Sequence, residues 1–248
     1  MKLKEIFEQL TYGELSQLSL GGGEMGGITE ANYPKILAHI NLGLTTLYTR
    51  FPLKESSIAL QLKPHLVRYT LSNRFAVSNA RSQELDKYIL DTSAWPFADD
   101  LIKIDKVITD AGHDMHLNNS ADKYSAHTPS FNVLVVPEDM VTNASDLPDW
   151  LKTNQLAVVY RANHPKIVQS MTYFDPERVE VQLPDSYLEL LLLFIASRVH
   201  NPIGMTNEFH AGNSYSAKFE QACQQRETYG IRVDKDSQNT RLERNGWI

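Results

Sequence analysis

Apolar residues recur at a helical period near the start of the chain. Between residues 33 and 51 they stand three or four positions apart, at Ile36, Leu37, Ile40, Leu44, Leu47, Tyr48 and Phe51. This spacing predicts one long amphipathic helix. Upstream, Ile6 and Leu10 share the face of a short helix. Thr11 and Glu14 fit a capping box, which predicts that a second short helix starts there.

Strand-like segments dominate the middle of the chain. They are short, rich in β-branched residues and separated by clusters of Pro, Gly, Asn and Asp, and we expect each to form a strand: IALQL, LVRYTL, LIKIDKVI, FNVLVVP, LAVVYRA and VEVQLP. Every second residue from Leu156 to Tyr160 is large and apolar, as in a strand with one buried face. We therefore expect a β-rich region over residues 58–183, with a long polar loop at 112–130.

Helical periodicity returns in SYLELLLLFIASRV. This segment is apolar on nearly every side, so we expect it at the centre of a bundle or between a bundle and a neighbouring subunit. Leu190, Leu193 and Phe194 are candidates for that subunit interface. Arg198 is a fourth candidate, for which we expect a carboxylate partner, because an unpaired buried guanidinium is costly. A last helix is predicted over residues 214–229.

The order of these elements predicts an α+β protein. Helices in residues 1–57 and 184–230 form a helical bundle, and the β-rich region at 58–183 is inserted between them. Residues 231–248 show no period and are expected to form an extended arm.

Charge and cysteine content exclude several classes of protein. A net charge of −6 argues against general nucleic-acid binding, which needs a basic face. The single cysteine, Cys223, rules out a disulfide within the chain and a zinc site of several cysteines. The first ten residues lack the apolar core of a secretory signal. The longest apolar run, LLLLFIA, is too short to cross a bilayer, so we expect a soluble protein with no membrane partner.

Candidate chemistry is sparse. His113 and His116, beside Asp114, could share a metal ion, although helix-borne zinc pairs usually stand four positions apart. The alternative is a pair of solvated loop histidines. Neither a Gly-x-Ser-x-Gly elbow nor an activated-cysteine motif is present. We expect no enzyme activity and no cofactor, with a metal-dependent hydrolase that uses the two histidines as the remaining alternative.

Several segments together resemble a known family. VVYRANHPKI, LPDSYLELLLLFIASRVHNPIG, YSAKFEQACQQRETYGI and NTRLERNGWI follow one another in the second half, and YGELSQLSL precedes YPKILAHINLGLTTLYTRF in the first. They look like a head-to-tail adaptor (connector) protein of tailed bacteriophages. The resemblance runs over most of the chain and rests on the order of the segments, since no single motif is diagnostic.

The resemblance implies a structural protein of the virion. Such adaptors pair a helical bundle with an inserted β region and form a ring, usually of twelve copies, beneath the portal protein ring. The implied location is the neck of the virion, after assembly in the host cytoplasm, with a tail or nozzle protein as the lower partner. DNA passes through the channel without specific binding, which fits the acidic balance. Another neck or tail component, such as a collar protein or tail terminator, is the alternative within this class.

The resemblance also assigns a role to the arm. Family members often send a C-terminal arm up to the portal, which here implies docking by Arg241, Leu242, Arg244, Trp247 and Ile248. The last two residues would be the apolar anchor, and the arginines would pair with acidic groups on the partner. Because ordering an arm costs entropy, we expect it to become ordered only on assembly. The alternative is that the arm folds back and Trp247 fills a groove on its own subunit.

Overall fold

The computed structural model describes residues 1–16, 28–142, 147–169, 174–200 and 207–228. The chain divides into two compact units. The first, which we call the helical unit, comprises Met1–Pro52 and Lys166–Ile248, and the second, the β unit, comprises Leu53–Pro165. The protein is mixed α and β, with the β unit inserted into the sequence of the helical unit. The insertion spans Leu53–Pro165 where the sequence predicts 58–183.

In chain order the helices and strands are α1 (Leu3–Tyr12), α2 (Tyr33–Arg50), β1 (Glu55–Gln61), β2 (Arg68–Thr70), β3 (Ile89–Leu90), β4 (Leu101–Thr109), β5 (Asp114–Met115), β6 (His127–Ser130), β7 (Val133–Val135), α3 (Glu138–Thr142), β8 (Gln155–Ala162), α4 (Leu188–Val199) and α5 (Asn207–Thr228).

Helix α4 lies at the centre of the helical unit, where α1, α2 and α5 all contact it. Eight of its twelve residues are buried, which confirms that this apolar segment is covered on nearly every side. The expected α2 is also confirmed, and its stripe of apolar residues faces the core. The two helices approach closely at Gly43, where an added Cβ would lie 2.7 Å from Leu191 Cδ1. A side chain at this position would force Leu191 and Phe194 to move.

Helix α1 differs from the expected pair of short helices. It is one helix that ends at Gly13, whose N–H donates to the carbonyl of Gln9 (2.8 Å). The next residues form a turn that buries Leu15, so Thr11 and Glu14 do not start a second helix.

Helix α5 begins at Asn207, earlier than the expected 214. Most of its length is polar, and Phe219 and Cys223 are buried on one face. Burial raises the pKa of the Cys223 thiol to about 11, as expected for a core residue without redox or metal chemistry. Arg50, the last residue of α2, binds Glu227 (2.8 Å) and Glu220 (2.7 Å) of α5.

The β unit contains two antiparallel sheets, with strand orders β3-β1-β8-β4-β5 and β2-β7-β6. In the larger sheet β1 and β8 pair from Glu55↔Arg161 to Gln61↔Gln155. Leu156, Val158 and Tyr160 are buried in the expected alternation. Both edge strands of this sheet are only two residues long, which limits the backbone that an edge offers to other chains.

Two predicted features of the middle region are wrong. The segment VEVQLP, at residues 179–184, forms no strand and belongs to the helical unit, where a single bridge joins Glu180 to Lys2. The segment 112–130, expected as an open loop, carries β5 and β6. Its interior is held by the Ser125 hydroxyl, which accepts a hydrogen bond from the N–H of Asn119 and donates one to the carbonyl of His116.

Candidate docking surfaces

The three apolar residues predicted at a subunit interface are buried inside the helical unit. Leu190 is fully covered, and Leu193 and Phe194 are 8% and 6% exposed. Phe194 packs edge-on against Phe219 of α5, with ring centroids 5.4 Å apart. The apolar surface expected to wait for a neighbouring copy therefore does not come from these side chains, because the chain's own helices cover them.

Arg198 is exposed, so the expected carboxylate pair is not a buried one within this chain, and a pair across a subunit interface stays a prediction. Its guanidinium stands 5.3 Å from the centroid of the Phe194 ring, in a cation–π contact. No carboxylate among the described residues forms an ion pair with it. Burial, and then the positive charge of Arg198, lowers the pKa of His39. Arg198 thus lies at the surface of the helical unit, where it is accessible to a partner.

The five candidate docking residues of the arm, Arg241, Leu242, Arg244, Trp247 and Ile248, lie outside the described residues. Their predicted role stays a prediction.

The histidines considered as metal ligands have other neighbours. The His113 ring packs edge-on against Trp150 at 5.9 Å. His116 Nδ1 lies 2.6 Å from the Asp122 carboxylate. The backbone N–H of Tyr124, followed by His116, lowers the pKa of Asp122. Across the described ranges, no group of three or more His, Cys, Asp or Glu residues is placed to hold a metal ion.

A groove of about 410 Å³ lies on the helical unit, between α1, the start of α2 and residues 175–177. Its apolar lining consists of Phe7, Tyr12, Ile28 and Tyr33. Phe7 and Tyr33 stack with ring centroids 5.1 Å apart. Tyr12 is 83% exposed, although an aromatic ring of this size usually finds cover. We call this feature the α1 groove.

The walls of the α1 groove are fixed by backbone pairing between distant parts of the sequence. Leu3 N–H donates to Val179 O (3.0 Å), and Lys4 N–H donates to Pro176 O (3.2 Å). Leu3, Ile6 and Leu10 of α1 face the core, whereas Phe7 and Tyr12 line the groove together with polar residues of the helix. The groove is therefore part of the folded unit and does not depend on a single surface side chain.

Acidic residues predominate among the charged residues that line the groove. Glu8, Asp175 and Glu177 face it, with Lys4 as the one lining cation. Lys4 pairs with Glu177 and lies 3.9 Å from Glu8, and its hydrogen bond to Glu177 raises the pKa of Lys4. Three carboxylates against one ammonium leave the lining negative. The surface suits an apolar group that is flanked by cations.

The β unit holds a polar network where its first and last strands meet. Tyr160 donates to Asp100 (3.0 Å), and Lys54 lies 3.2 Å from the other oxygen of this carboxylate. The N–H of Ala162 donates to Lys54 O (3.0 Å). Burial raises the pKa of Tyr160 to about 12. These contacts join the start of β1, the start of β4 and the end of β8, which is a structural role.

An exposed tryptophan marks a second surface, on the β unit. Trp95 is 84% exposed and sits in a turn that follows β3. The Asp91 carboxylate holds this turn by accepting hydrogen bonds from the N–H groups of Ser78 (2.8 Å) and Phe97 (2.9 Å). The turn that carries Trp95 is therefore held in place, and the exposed ring could serve as the anchor residue of an interface.

Sequence reasoning missed the α1 groove and the Trp95 turn. Tyr12 lies outside the apolar stripe of α1, so its exposure could have been predicted from the sequence. The groove itself needs α1 beside residues 175–177, and no local pattern predicts that contact. No helix within the described part of the chain combines the length and apolar character needed to cross a membrane.

The chain matches no family model. No curated protein matches it either.

Proposed function

We propose that this chain is a ring-forming head-to-tail adaptor of a tailed bacteriophage, a structural protein that joins the portal to the tail and lines the DNA exit channel. The observation that carries the proposal is the insertion of a β unit between helices from both ends of the sequence. The adaptors that the sequence resembles combine a helical bundle with an inserted β region in this way. The segments that carry the resemblance include α2, β8, α4 and α5.

In this proposal the helices of both ends form the bundle, with α4 at its centre. Since α4 is covered within the single chain, each copy folds before it joins the ring. Contacts between copies then use outer surfaces, such as those around Arg198 and Trp95. The ring, usually of twelve copies, then forms on a partner and not in free solution.

The arm at residues 231–248 supplies the reach to the portal ring. An extended segment of this length spans up to roughly 60 Å. Trp247 and Ile248 are the anchor, and Arg241 and Arg244 pair with acidic groups on the portal. Twelve equivalent arms acting together would hold the ring through high effective concentration. The net charge of −6 allows DNA to pass without being bound.

A binding experiment with isolated portal rings tests this proposal. We expect the full chain to co-sediment with portal rings, and a chain without Trp247 and Ile248 to remain folded and stay in the supernatant. A Leu42→Ser chain serves as the control, because Leu42 is an exposed apolar residue of α2 outside the arm. Equal binding of the shortened and full chains would overturn the docking role. Binding to tail rings but not to the portal would favour the collar or terminator alternative.

A further inference from the structure

We propose that the α1 groove binds the segment around Trp247 and Ile248 of the same chain. This docking does not depend on the proposed function. In an adaptor, it would hold the arm on its own subunit until a partner competes for the same two residues.

The first support is reach. Arg50 binds Glu227 (2.8 Å), so the end of α5 lies beside the end of α2. Tyr33, the first residue of α2, lines the groove. The 18 residues of α2 separate these two points by about 26 Å at 1.5 Å per residue. Residues 229–247, which connect α5 to Trp247, span up to roughly 60 Å when extended.

The same lengths favour the chain's own segment over that of a second copy. A flexible peptide of about 20 residues has a root-mean-square end-to-end distance of about 25 Å. This matches the distance of about 26 Å along α2. A tethered group has its highest effective concentration when the two lengths agree, and that concentration reaches the millimolar range. A second copy at micromolar concentration competes poorly with it.

The second support is chemical complementarity. The aromatic lining, with Tyr12 83% exposed, offers a stacking surface for an indole ring. The lining carries three carboxylates and one ammonium. On the other side, Arg241 and Arg244 stand within seven residues of Trp247 in NTRLERNGWI. Cations that flank an apolar anchor therefore meet a negative rim around an apolar floor.

Tryptophan fluorescence of the full-length chain tests the proposal. The chain has three tryptophans, so the spectrum of a Trp247→Phe chain is subtracted from that of the wild type to isolate Trp247. We expect a blue-shifted difference spectrum and weak quenching by acrylamide, both independent of protein concentration. Excitation at a wavelength that tyrosine does not absorb keeps the comparison valid for tyrosine variants.

Two matched surface variants locate the binding site. Tyr12→Ser removes the exposed ring of the groove, and we expect the equilibrium constant for docking to fall about two- to tenfold, because an aromatic pair contributes about 0.5–1.5 kcal/mol. Quenching of Trp247 should then rise. Leu42→Ser changes an exposed residue of α2 outside the groove and should leave quenching unchanged.

Three results would overturn the proposal: a wild-type Trp247 as quenchable as free indole, protection that appears only as concentration rises, or protection that survives Tyr12→Ser. The second result would assign the groove to a neighbouring copy. None of the three results measures portal binding, so they test the docking of the arm in the groove independently of the proposed function.

Discussion

Replacing Gly43 by alanine tests the close crossing of α2 and α4 on which the packing of the helical unit depends. The new Cβ would lie 2.7 Å from Leu191 Cδ1 and 2.9 Å from Phe194 Cδ1, whereas carbon atoms attract best at about 3.5–4.0 Å. Both partners are buried, so they must move by about 1 Å within a close-packed core. Overpacking of this kind costs about 1–3 kcal/mol, and the higher helix propensity of alanine offsets about 1 kcal/mol.

The expected result is a loss of about 1 kcal/mol in the free energy of unfolding. It is measured by urea denaturation followed by circular dichroism at a helical wavelength, with the midpoint and slope compared between variants. Ala38→Gly, at an exposed position of the same helix, measures the propensity term alone and should lose about 1 kcal/mol.

A double-mutant cycle identifies the cause. Leu191→Ala alone removes core packing and should cost about 2–5 kcal/mol. In that background only the 2.9 Å contact with Phe194 Cδ1 remains, so Gly43→Ala should cost less than it does in the wild type. A gain of about 1 kcal/mol from Gly43→Ala in the wild type would contradict the close crossing, because it would equal the propensity term alone.

Three further predictions concern single side chains. The Tyr88 hydroxyl accepts a hydrogen bond from the N–H of Thr70 and donates one to its carbonyl (both 2.9 Å). Tyr88→Phe should therefore lower the free energy of unfolding, measured by urea denaturation, by about 1–3 kcal/mol. Tyr12→Phe, at the exposed surface, should cause no measurable change. Burial raises the pKa of Tyr88 and Tyr160 to about 12, above the value of about 10 in the unfolded chain. The neutral forms of these two tyrosines therefore contribute fully to stability below a pH of about 10, and this contribution is lost as the pH rises to about 12. Tyr88→Phe should make the fall of the unfolding free energy over this pH range less steep. Arg198→Met should change the free energy of unfolding by less than about 0.5 kcal/mol, because Arg198 is exposed. A larger loss would show that its contact with the Phe194 ring matters.

The parts of the fold that sequence predicted are those with long, uniform patterns. The stripe of α2 and the alternation in β8 each bury one continuous face, so period and burial agree. The apolar character of α4 predicted its burial but not what covers it, since a neighbouring subunit and the chain's own helices leave the same pattern. The burial of Leu190 within the single chain and the contact of Phe194 with Phe219 show that the chain's own helices cover it.

The failures have local causes. Residues 179–184 have the composition of a strand, but their one bridging partner is Lys2, which is too little pairing for a sheet. Strands β3 and β5 are two residues long and carry no detectable alternation. At the candidate site, the α1 groove requires α1 to meet residues 175–177, and such a long-range contact leaves no local signal. The exposed Tyr12 was visible in the sequence, but its neighbours were not.

The central claim, that this chain assembles as an adaptor ring on the portal, is tested most directly by native mass spectrometry. The chain is measured alone and after mixing with isolated portal rings at the same concentration. The account predicts a single-chain mass alone and, with the portal, one complex that carries a complete, closed ring of about twelve copies, the number that the family resemblance implies. A chain that stays at its single-chain mass beside unoccupied portal rings would contradict it.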